Sequence, residues 1–412
     1  MASRPWRTRH GCDAAARGAA LHPLMTWKTG TDRRFYAPRM RILFVPTYTN
    51  GIVRGEVDAA SDSVGYGITA AAALVQQLGV LGHAVDTIDI ASRDKQRWYA
   101  ECLETIASRL RSGRYDVIFC FHSFWPFASE VRRIVDDAGR SVPIVAYNHG
   151  SHWDPTDVFR QERYPALRWA DLGNLLAVDA VLLVSEYMRA TLLRGVGGAS
   201  AEAAAQLAPR LWVVGLPIDT ELLDACLRQK EEAPTVVFNH SFSEGKRPGA
   251  FLEVAEEVLE RRPARIVLTR GAPVNSPHRA SLSRLAKRFG SRITVGETLA
   301  IPDYFRALWA SHVQVSTATH ESLGIATLEA MYARNYCLLP DIGAYPEVVG
   351  PVREALYDPR EERLADRIVG ALDDPEGCVA LADRLADQAC RYRPDVIARE
   401  VEKVLQSVCL AP

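Results

Sequence analysis

The sequence lacks paired cysteines and long apolar segments. Its eight cysteines are scattered along 412 residues, with no Cys-x-x-Cys pair and no Cys/His spacing typical of a zinc site. That spacing predicts free thiols, as expected in a reducing cytoplasm. No run of about 18–20 uninterrupted apolar residues occurs, so no membrane-spanning helix is predicted.

An excess of charge of one sign is also missing. Lysine and arginine together number 49, aspartate and glutamate 50, and the formal net charge is -1. Proteins that coat nucleic acid need a clear positive surplus, so that class is excluded, although a local basic patch is not. The Gly-x-Gly-x-x-Gly loop of dinucleotide-binding enzymes is absent from residues 46–51, which follow the first predicted strand.

The first 39 residues differ from the rest of the chain. They are rich in arginine, poor in acidic residues and without sustained apolar periodicity. We predict a disordered basic extension over residues 1–39, or an upstream start ahead of Met40, because ordering a segment requires apolar burial. An organellar transit peptide is the alternative.

From Met40 onwards, short apolar runs alternate with stretches of helical spacing. This alternation predicts an α/β fold with parallel sheets covered on both faces. Strands are predicted at residues 41–46, 84–90, 116–121, 143–147, 179–185 and 211–215, then at 235–239, 265–269, 293–295, 312–316 and 336–340.

The restart at residue 235 predicts two doubly wound domains in series. The domains are expected over residues 40–217 and 218–390, with the link near 216–219 and a last helical segment within 391–412. Ligands of open α/β sheets bind outside the carboxyl ends of the strands, so the cleft between the domains is the expected site.

The most informative segment of the second half follows a predicted strand and opens a helix. It contains Glu321 and Glu329 with seven residues between them, and Gly324 stands before the helix. Gly324 allows close approach of the backbone to a ligand, and the helix N-terminus favours an anion. Glu329 can accept two hydroxyl hydrogen bonds from a ribose, and Glu321 can reach a sugar. The alternative is a strand, loop and helix with two solvated glutamates.

This segment resembles the retaining glycosyltransferases of family 4, which carry two glutamates at this spacing. The resemblance implies the GT-B fold, with two Rossmann-like domains that face a cleft and a C-terminal helix that crosses back to the first domain. It also implies an acceptor-binding first domain and a nucleotide-sugar-binding second domain. By resemblance, Glu321 contacts the donor sugar, Glu329 the ribose, and the backbone of Gly324 and Ile325 the diphosphate.

A basic partner for the diphosphate is expected after the first strand of the second domain. Family members typically have an arginine and a lysine there; here Lys246 matches the lysine, but Ser241 stands at the arginine position. Arg247 or Arg270 could compensate, because either would offset phosphate charge. Alternatively, Lys246 and Arg247 are exposed charges on a turn. The Asp-x-Asp motif of metal-dependent transferases is absent, and no metal or other cofactor is expected.

Histidines follow two predicted strands of the first half. The resemblance favours His149 as a catalytic group that binds a sugar hydroxyl or assists proton movement, with His122 as the alternative. His152, Trp153 and Asp154 are further acceptor-side candidates because they lie in the same loop. The alternative is that these side chains only bond within the loop.

One subfamily, the tRNA-queuosine mannosyltransferases, resembles more of the chain, from residue 144 to 357. The matching residues include Tyr147-Asn-His149, Asn239-His240, His320-Glu321 and Tyr345-Pro-Glu347. This resemblance implies GDP-mannose as donor and a nucleoside in tRNA or DNA as acceptor. The N-terminal part departs from it, since Tyr48-Thr-Asn-Gly-Ile-Val-Arg54 replaces the tight Gly-Gly-Ser-His turn of the relatives.

Other acceptors and a non-catalytic role are alternatives. Arginines and lysine between residues 93 and 114 could contact phosphates while Trp98 stacks on a base, or they form a solvated helix face. A lipid, a glycan or a small metabolite is the alternative acceptor. Ser241 at the expected arginine position also fits a non-catalytic nucleotide-sugar-binding protein. The sequence predicts a cytoplasmic protein and does not indicate the oligomeric state.

Overall fold

The computed structural model describes residues 39–47, 52–53, 56–57, 66–90, 92, 94–124, 126–157, 165–297 and 299–410. The basic extension predicted over residues 1–39 lies outside these ranges except for its last residue. Within them, no helix is long and apolar enough to cross a membrane.

The first sheet has six parallel strands in the order β4-β1-β5-β6-β7-β8. The apolar run of β1 lies between β4 and β5, and Phe44 pairs in register with Phe119 of β5. Both faces of such strands are buried, which is why they appear in the sequence as continuous apolar runs. The strands are β1 (Arg41–Val45), β4 (Ala84–Thr87), β5 (Val117–Cys120), β6 (Ile144–Asn148), β7 (Ala180–Leu183) and β8 (Leu211–Val213).

A short antiparallel pair lies between the first strand and the first helix. We expected only a polar loop there, but β2 (Ile52–Val53) and β3 (Glu56–Val57) pair with each other. Strands of two residues are too short to produce a periodic signal in the sequence.

The second sheet repeats the parallel arrangement, in the order β11-β10-β9-β12-β13-β14. β9 lies between β10 and β12, so segments distant in the sequence end side by side. Only the last strand was not predicted. The strands are β9 (Thr235–Phe238), β10 (Arg265–Leu268), β11 (Ile293–Val295), β12 (Val313–Val315), β13 (Tyr336–Pro340) and β14 (Leu356–Tyr357).

Helices connect the parallel strands. Their starts often carry the expected caps: the Ser185 side chain, for example, accepts a hydrogen bond from the N–H of Met188. The helices are α1 (Tyr66–Val80), α2 (Lys95–Ser112), α3 (Ala128–Asp137), α4 (Leu167–Leu176), α5 (Glu186–Ala199), α6 (Ala201–Leu207), α7 (Thr220–Ala225), α8 (Pro248–Arg261), α9 (Arg279–Phe289), α10 (Ile301–Ala310), α11 (Ile325–Tyr332), α12 (Tyr345–Val349), α13 (Leu364–Asp373), α14 (Pro375–Ala389) and α15 (Pro394–Leu410).

The last helix, α15, crosses back to the first sheet, as the resemblance implied. It packs along α1, and Nε2 of His83 lies 3.0 Å from Oε1 of Glu402. The other ring nitrogen of His83 accepts a hydrogen bond from the N–H of Met40 at the start of β1. The two sheets and this helix give the GT-B architecture, whereas the exact domain boundaries at 217 and 390 stay predictions.

The cysteines only partly follow expectation. Six of those described are free, and five of the six are buried. Cys390 is disulfide-bonded, so the prediction of free thiols is wrong at this position.

Candidate active site

A cavity of about 510 Å³ opens at the carboxyl ends of the strands of the second sheet. Thr69 of α1 reaches it from the first half of the chain. The other lining residues follow β9, β10 or β11, or they lie in α10, in the loop before α11 or in α11 itself. They are Asn239, His240, Ser241, Phe242, Lys246, Thr269, Arg270, Gly271, Pro273, Glu297, Leu299, Ile301, Tyr304, Phe305, Glu321, Gly324, Ile325, Ala326 and Glu329. The position agrees with the carboxyl-end rule for open α/β sheets.

Gly324 forms the turn that begins α11. Its φ is +89°, in the left-handed region, and a Cβ atom there would lie 2.9 Å from Cε1 of Tyr345 and 3.2 Å from Cγ of Glu321. The helix starts at once with Ile325. Because the first N–H groups of a helix have no partner within it, this end of α11 can bind an anion in the cavity.

Lys246 and Glu321 form a short ion pair at the cavity wall. Nζ of Lys246 donates to Oε2 of Glu321 at 2.6 Å, and both side chains are mostly buried. Burial alone would raise the pKa of Glu321, but the charge and hydrogen bond of Lys246 outweigh it and lower the pKa. The carboxylate is therefore ionised at neutral pH.

The turn that carries Lys246 is tied to the loop of Glu321 by hydrogen bonds from Thr317 and Thr319. The N–H of Thr319 donates to the carbonyl of Gly245 at 2.9 Å, and the hydroxyl of Thr317 donates to the carbonyl of Lys246 at 2.8 Å. These contacts join the end of β9 to the end of β12, which are neighbours in the sheet. The backbone segments that carry Lys246 and Glu321 are therefore fixed relative to each other.

Glu329 lies on α11 and is buried in the same cavity. The hydroxyl of Tyr304, on α10, donates to its Oε2 at 2.6 Å. Burial raises the pKa of Glu329 to about 7, against the hydrogen bond from Tyr304 and the charge of Arg270. The sequence does not reveal this role of Tyr304, although the resemblance includes the segment around it, because no local pattern links one helix to the other.

The two arginines considered for the diphosphate lie in different places. Arg270 follows β10 and lines the cavity. Arg247 does not line it; with φ 45° it precedes α8 as its N-cap residue. Ser241 lines the cavity, and its Oγ lies 2.9 Å from Oγ of Ser243. The arginine that the cavity contains is therefore Arg270.

The histidines of the first half lie against the end of the first sheet. His149 is buried, its Nε2 donates to the carbonyl of Phe121 at 2.6 Å, and its ring stacks on His122 at 5.3 Å. Nδ1 of His122 accepts from the N–H of Phe124. His149 meets the glutamate loop through its backbone, since its carbonyl accepts from Oγ of Ser322 at 2.9 Å. Neither histidine lines the cavity.

The remaining acceptor-side candidates have structural partners. His152 packs near Asp171, with Nδ1 3.6 Å from Oδ2. Trp153 is buried, and its Nε1 donates to the carbonyl of Arg168. Asp154 accepts hydrogen bonds from the N–H and hydroxyl of Thr156. Of these three, Asp154 also reaches the second half of the chain.

His320 connects the two halves immediately before Glu321. Its Nδ1 lies 2.9 Å from Oγ1 of Thr156 and 3.5 Å from Oδ2 of Asp154, and its Nε2 lies 3.7 Å from Oδ2 of Asp157. In the sequence, His320 is notable only as part of a motif that resembles the queuosine mannosyltransferases. Its role depends on a contact across 164 positions of sequence that no local pattern reveals.

Trp98 was a candidate for stacking on a base, and the structure contradicts that role. Its side chain is 4% exposed and belongs to the core beneath α2. The neighbouring Arg97 is exposed and pairs with Glu101 at 2.6 Å, which supports the solvated-face alternative. Arg93 lies outside the described residues.

Two family models match the chain, one for each half. Residues 58–203 match Glycosyltransferase Family 4, and residues 219–389 match Glycosyl transferases group 1. The second range contains Lys246, Arg270, Glu321 and Glu329.

Solved structures with the same fold match nearly the whole chain at low identity. The sucrose-phosphate synthase of Thermosynechococcus elongatus has a TM-score of 0.68 at 16% identity, covering 90% of this chain and 99% of its own. Anabaena Alr3699/HepE in complex with UDP has 0.63 at 15%, covering 89% and 100%. The E. coli trehalose-6-phosphate structure bound with UDP-2-fluoro glucose has 0.62 at 12%, covering 89% and 99%. With both halves matched by glycosyltransferase models on this fold, the chain belongs to the glycosyltransferases of the GT-B type.

Proposed function

We propose that the protein is a retaining hexosyltransferase that moves a sugar from a nucleoside diphosphate sugar to an acceptor hydroxyl. The observation that carries the proposal is one cavity holding the Lys246–Glu321 pair, Arg270, the N-terminus of α11 and the buried Glu329. Cationic and carboxylate groups thus meet where a nucleotide and a sugar must both be held.

Each of these groups has a part in the proposed reaction. Lys246, Arg270 and the helix N-terminus at Gly324 stabilise the charge that develops on the departing diphosphate. Glu321 accepts hydrogen bonds from the donor sugar, and Glu329 from the ribose hydroxyls. These side chains supply the positive charge themselves, so the proposal needs no metal.

Retention follows if the acceptor hydroxyl attacks from the face that the diphosphate leaves. An oxocarbenium-like centre then forms between the departing diphosphate and the acceptor, and the acceptor proton passes to the leaving phosphate oxygen. The family 4 resemblance of the segment from Glu321 to Glu329 supports this course. Contact between the halves through His320 favours exclusion of water from the closed cleft.

GDP-mannose is the favoured donor, and the resemblance to the queuosine mannosyltransferases supports it. The second candidate is UDP-glucose, because structures with this fold have been solved with UDP or UDP-2-fluoro glucose bound. Both share the diphosphate that Lys246 and Arg270 would hold.

For the acceptor we propose a nucleoside in tRNA or DNA, in a cytoplasmic setting, with a lipid, a glycan or a small metabolite as alternatives. The resemblance of residues 144–357 to the queuosine mannosyltransferases supports the nucleoside. The burial of Trp98 removes one of its supports. A non-catalytic binding protein is less favoured, because Arg270 supplies the cavity with the guanidinium that Ser241 cannot.

The test is incubation of the protein with total tRNA and a panel of GDP-, UDP- and ADP-sugars. Nucleoside mass spectrometry and release of the nucleoside diphosphate are followed together. A nucleoside that gains a hexose mass with GDP-mannose supports donor and acceptor at once. Nucleotide release with another donor and no modified nucleoside would move the acceptor elsewhere. Binding without turnover across all acceptor classes would contradict an enzymatic role.

The anomeric configuration of the product, read by NMR coupling, tests retention.

A further inference from the structure

A chain of hydrogen-bonded side chains runs beneath the cavity from His240 to Glu329. Nε2 of Gln314 lies 3.1 Å from Nε2 of His240 and donates to Oδ1 of Asn239 at 3.2 Å. Nδ2 of Asn239 donates to the hydroxyl of Tyr304 at 3.2 Å, and that hydroxyl donates to Glu329. All five residues are buried or line the cavity.

The partners of Gln314 determine which way its amide points. Its Nε2 faces two oxygen acceptors, Oδ1 of Asn239 and the carbonyl of Val315 at 3.0 Å. The flipped amide would set its oxygen against both of these oxygens, so the nitrogen must occupy this position. The amide nitrogen has two hydrogens for these three neighbours, so one hydrogen is shared. Because an amide nitrogen cannot accept a hydrogen bond, it faces Nε2 of His240 only as a donor.

A donor that faces Nε2 selects one tautomer of His240. In a neutral imidazole one nitrogen carries the proton and the other accepts, so Nε2 must accept and Nδ1 must carry the proton. The imidazolium is excluded as well. Burial, with the charges of Lys246 and Arg270, lowers the pKa of His240 to about 3, and the charge of Glu321 only partly opposes this.

We propose that His240 donates its Nδ1–H to the diphosphate of the nucleotide-sugar donor, and that Gln314 is the positioning residue that holds this tautomer. The assignment rests on the proposed function, since it names a further contact in the same cavity. Phe238, with its ring centroid 5.4 Å from that of His240, packs against the imidazole and limits its rotation.

A neutral donor suits a cavity that already holds two cations. Lys246 and Arg270 line it, and another buried charge would have to be desolvated at high cost. A neutral N–H adds a hydrogen bond to the phosphate oxygens without that cost. His240 also immediately precedes Ser241, the position at which relatives carry an arginine.

The first experiment compares binding of nucleoside diphosphate and nucleoside by calorimetry on the full chain. The nucleotide is whichever of GDP and UDP the wild-type protein binds, and the nucleoside has the same base. His240→Ala is expected to weaken diphosphate binding roughly 10-fold or more and to leave nucleoside binding unchanged. Equal losses for both ligands, or no loss for the diphosphate, would overturn the proposal.

A matched pair of substitutions protects this test from a folding defect. In His240→Asn the amide nitrogen can take the place of Nδ1, whereas in His240→Gln it can take the place of Nε2. The asparagine variant is expected to keep most of the diphosphate affinity and the glutamine variant to lose it. The reverse order would refute donation from Nδ1.

The tautomer can be measured without any ligand. Nitrogen-15 NMR of histidine-labelled protein, assigned by comparison with His240→Asn, should show a protonated Nδ1 and an unprotonated Nε2. Gln314→Leu should allow the other tautomer and weaken diphosphate binding but not nucleoside binding. A protonated Nε2 in the wild-type protein would overturn the inference. If the tautomer is as expected but neither nucleotide binds, the proposed function fails instead.

Discussion

The hydroxyl of Tyr304 donates to Oε2 of Glu329 across 2.6 Å and links α10 to α11 at the wall of the cavity. One carboxylate oxygen is thereby engaged with the protein. Because each carboxylate oxygen has two lone pairs, Oε1 and the second lone pair of Oε2 can still accept ribose hydroxyls. The pair also affects the protonation of Glu329. Burial raises the pKa of this carboxyl to about 7, and the hydrogen bond from Tyr304 opposes the rise.

Nucleotide affinity should therefore rise as the pH increases through about 7. Above that pH Glu329 is ionised and accepts hydroxyl hydrogen bonds, and below it the protonated form accepts them less well. Glu329→Ala should weaken nucleotide binding roughly 10- to 100-fold at pH 8 and flatten this pH profile. Calorimetry between pH 6 and about 9 measures both effects. Unchanged binding by the variant would refute the ribose role.

Tyr304→Phe should move the same profile to higher pH. The hydrogen bond from Tyr304 stabilises the ionised carboxylate and lowers its pKa, so its removal raises the pKa of Glu329 further. The loss of affinity relative to wild type should be largest near neutral pH and shrink in alkali. A loss that is equal at every pH would show that Tyr304 acts only through packing.

Lys246→Ala should reduce turnover more than donor affinity. The charge on the diphosphate increases as it leaves, so a cation beside it stabilises the transition state more than the bound donor. We expect kcat to fall on the order of 100-fold with a much smaller change in donor Kd. Arg247→Ala is the matched control, since Arg247 lies outside the cavity lining, and it should change kcat little. Equal losses of kcat and affinity in Lys246→Ala would count against the role.

His320→Ala should lower kcat roughly 2- to 10-fold, the range of one lost hydrogen bond, with donor affinity nearly unchanged. His320 contacts Thr156, Asp154 and Asp157 across the cleft and therefore favours the closed arrangement. His278→Ala is the control, since His278 lies in the second half and does not line the cavity. Loss of donor binding with kcat preserved would contradict a role in closure.

Lys230 predicts a pH dependence of stability that is independent of the active site. It is partly buried and donates to the carbonyls of Ser311 and Ala333, and the loss of solvation lowers its pKa to about 7. Between that pKa and the ordinary value near 10.4, the unfolded chain binds more protons than the folded one. Stability should therefore rise with pH across this window.

Comparison with Lys230→Met isolates this contribution. Urea unfolding at pH 7 and about 9.5 measures the increase in the free energy of unfolding between the two pH values, which should be larger for the wild type than for the variant. Lys403→Met, at a lysine that is 65% exposed, should behave like the wild type. The same gain in all three proteins would exclude Lys230 as the source.

Much of the fold was predictable, because its signals are local. Buried parallel strands appear as short apolar runs, and the eleven strands predicted from such runs are all found, with ends that differ by at most three residues. The segment from Glu321 to Glu329 could also be interpreted from the sequence, since strand, turn and helix follow one another directly. The hairpin at 52–57 and the strand at 356–357 were missed because two-residue strands carry no period.

The candidate site was predictable only where its parts are adjacent in the chain. Glu321, Gly324 and Glu329 share one strand–loop–helix unit, so their placement around a helix N-terminus followed from their spacing. The resemblance supplied Lys246 but could not distinguish Arg247 from Arg270. That distinction depends on which of the two follows a strand end that faces the cavity.

The sequence by itself determined the alternation of strands and helices, the glutamate-bearing helix start and hence the class of fold. Only the tertiary structure decided that Lys246 meets Glu321, that Tyr304 meets Glu329 and that Gln314 faces His240. These pairs are separated by 75, 25 and 74 positions. Tyr304 and Glu329 meet because α10 packs on α11. For the other two pairs the physical reason is the strand order of the second sheet. β9 lies beside β12, and contacts between their ends depend on sheet pairing and side-chain direction, which local periodicity does not encode.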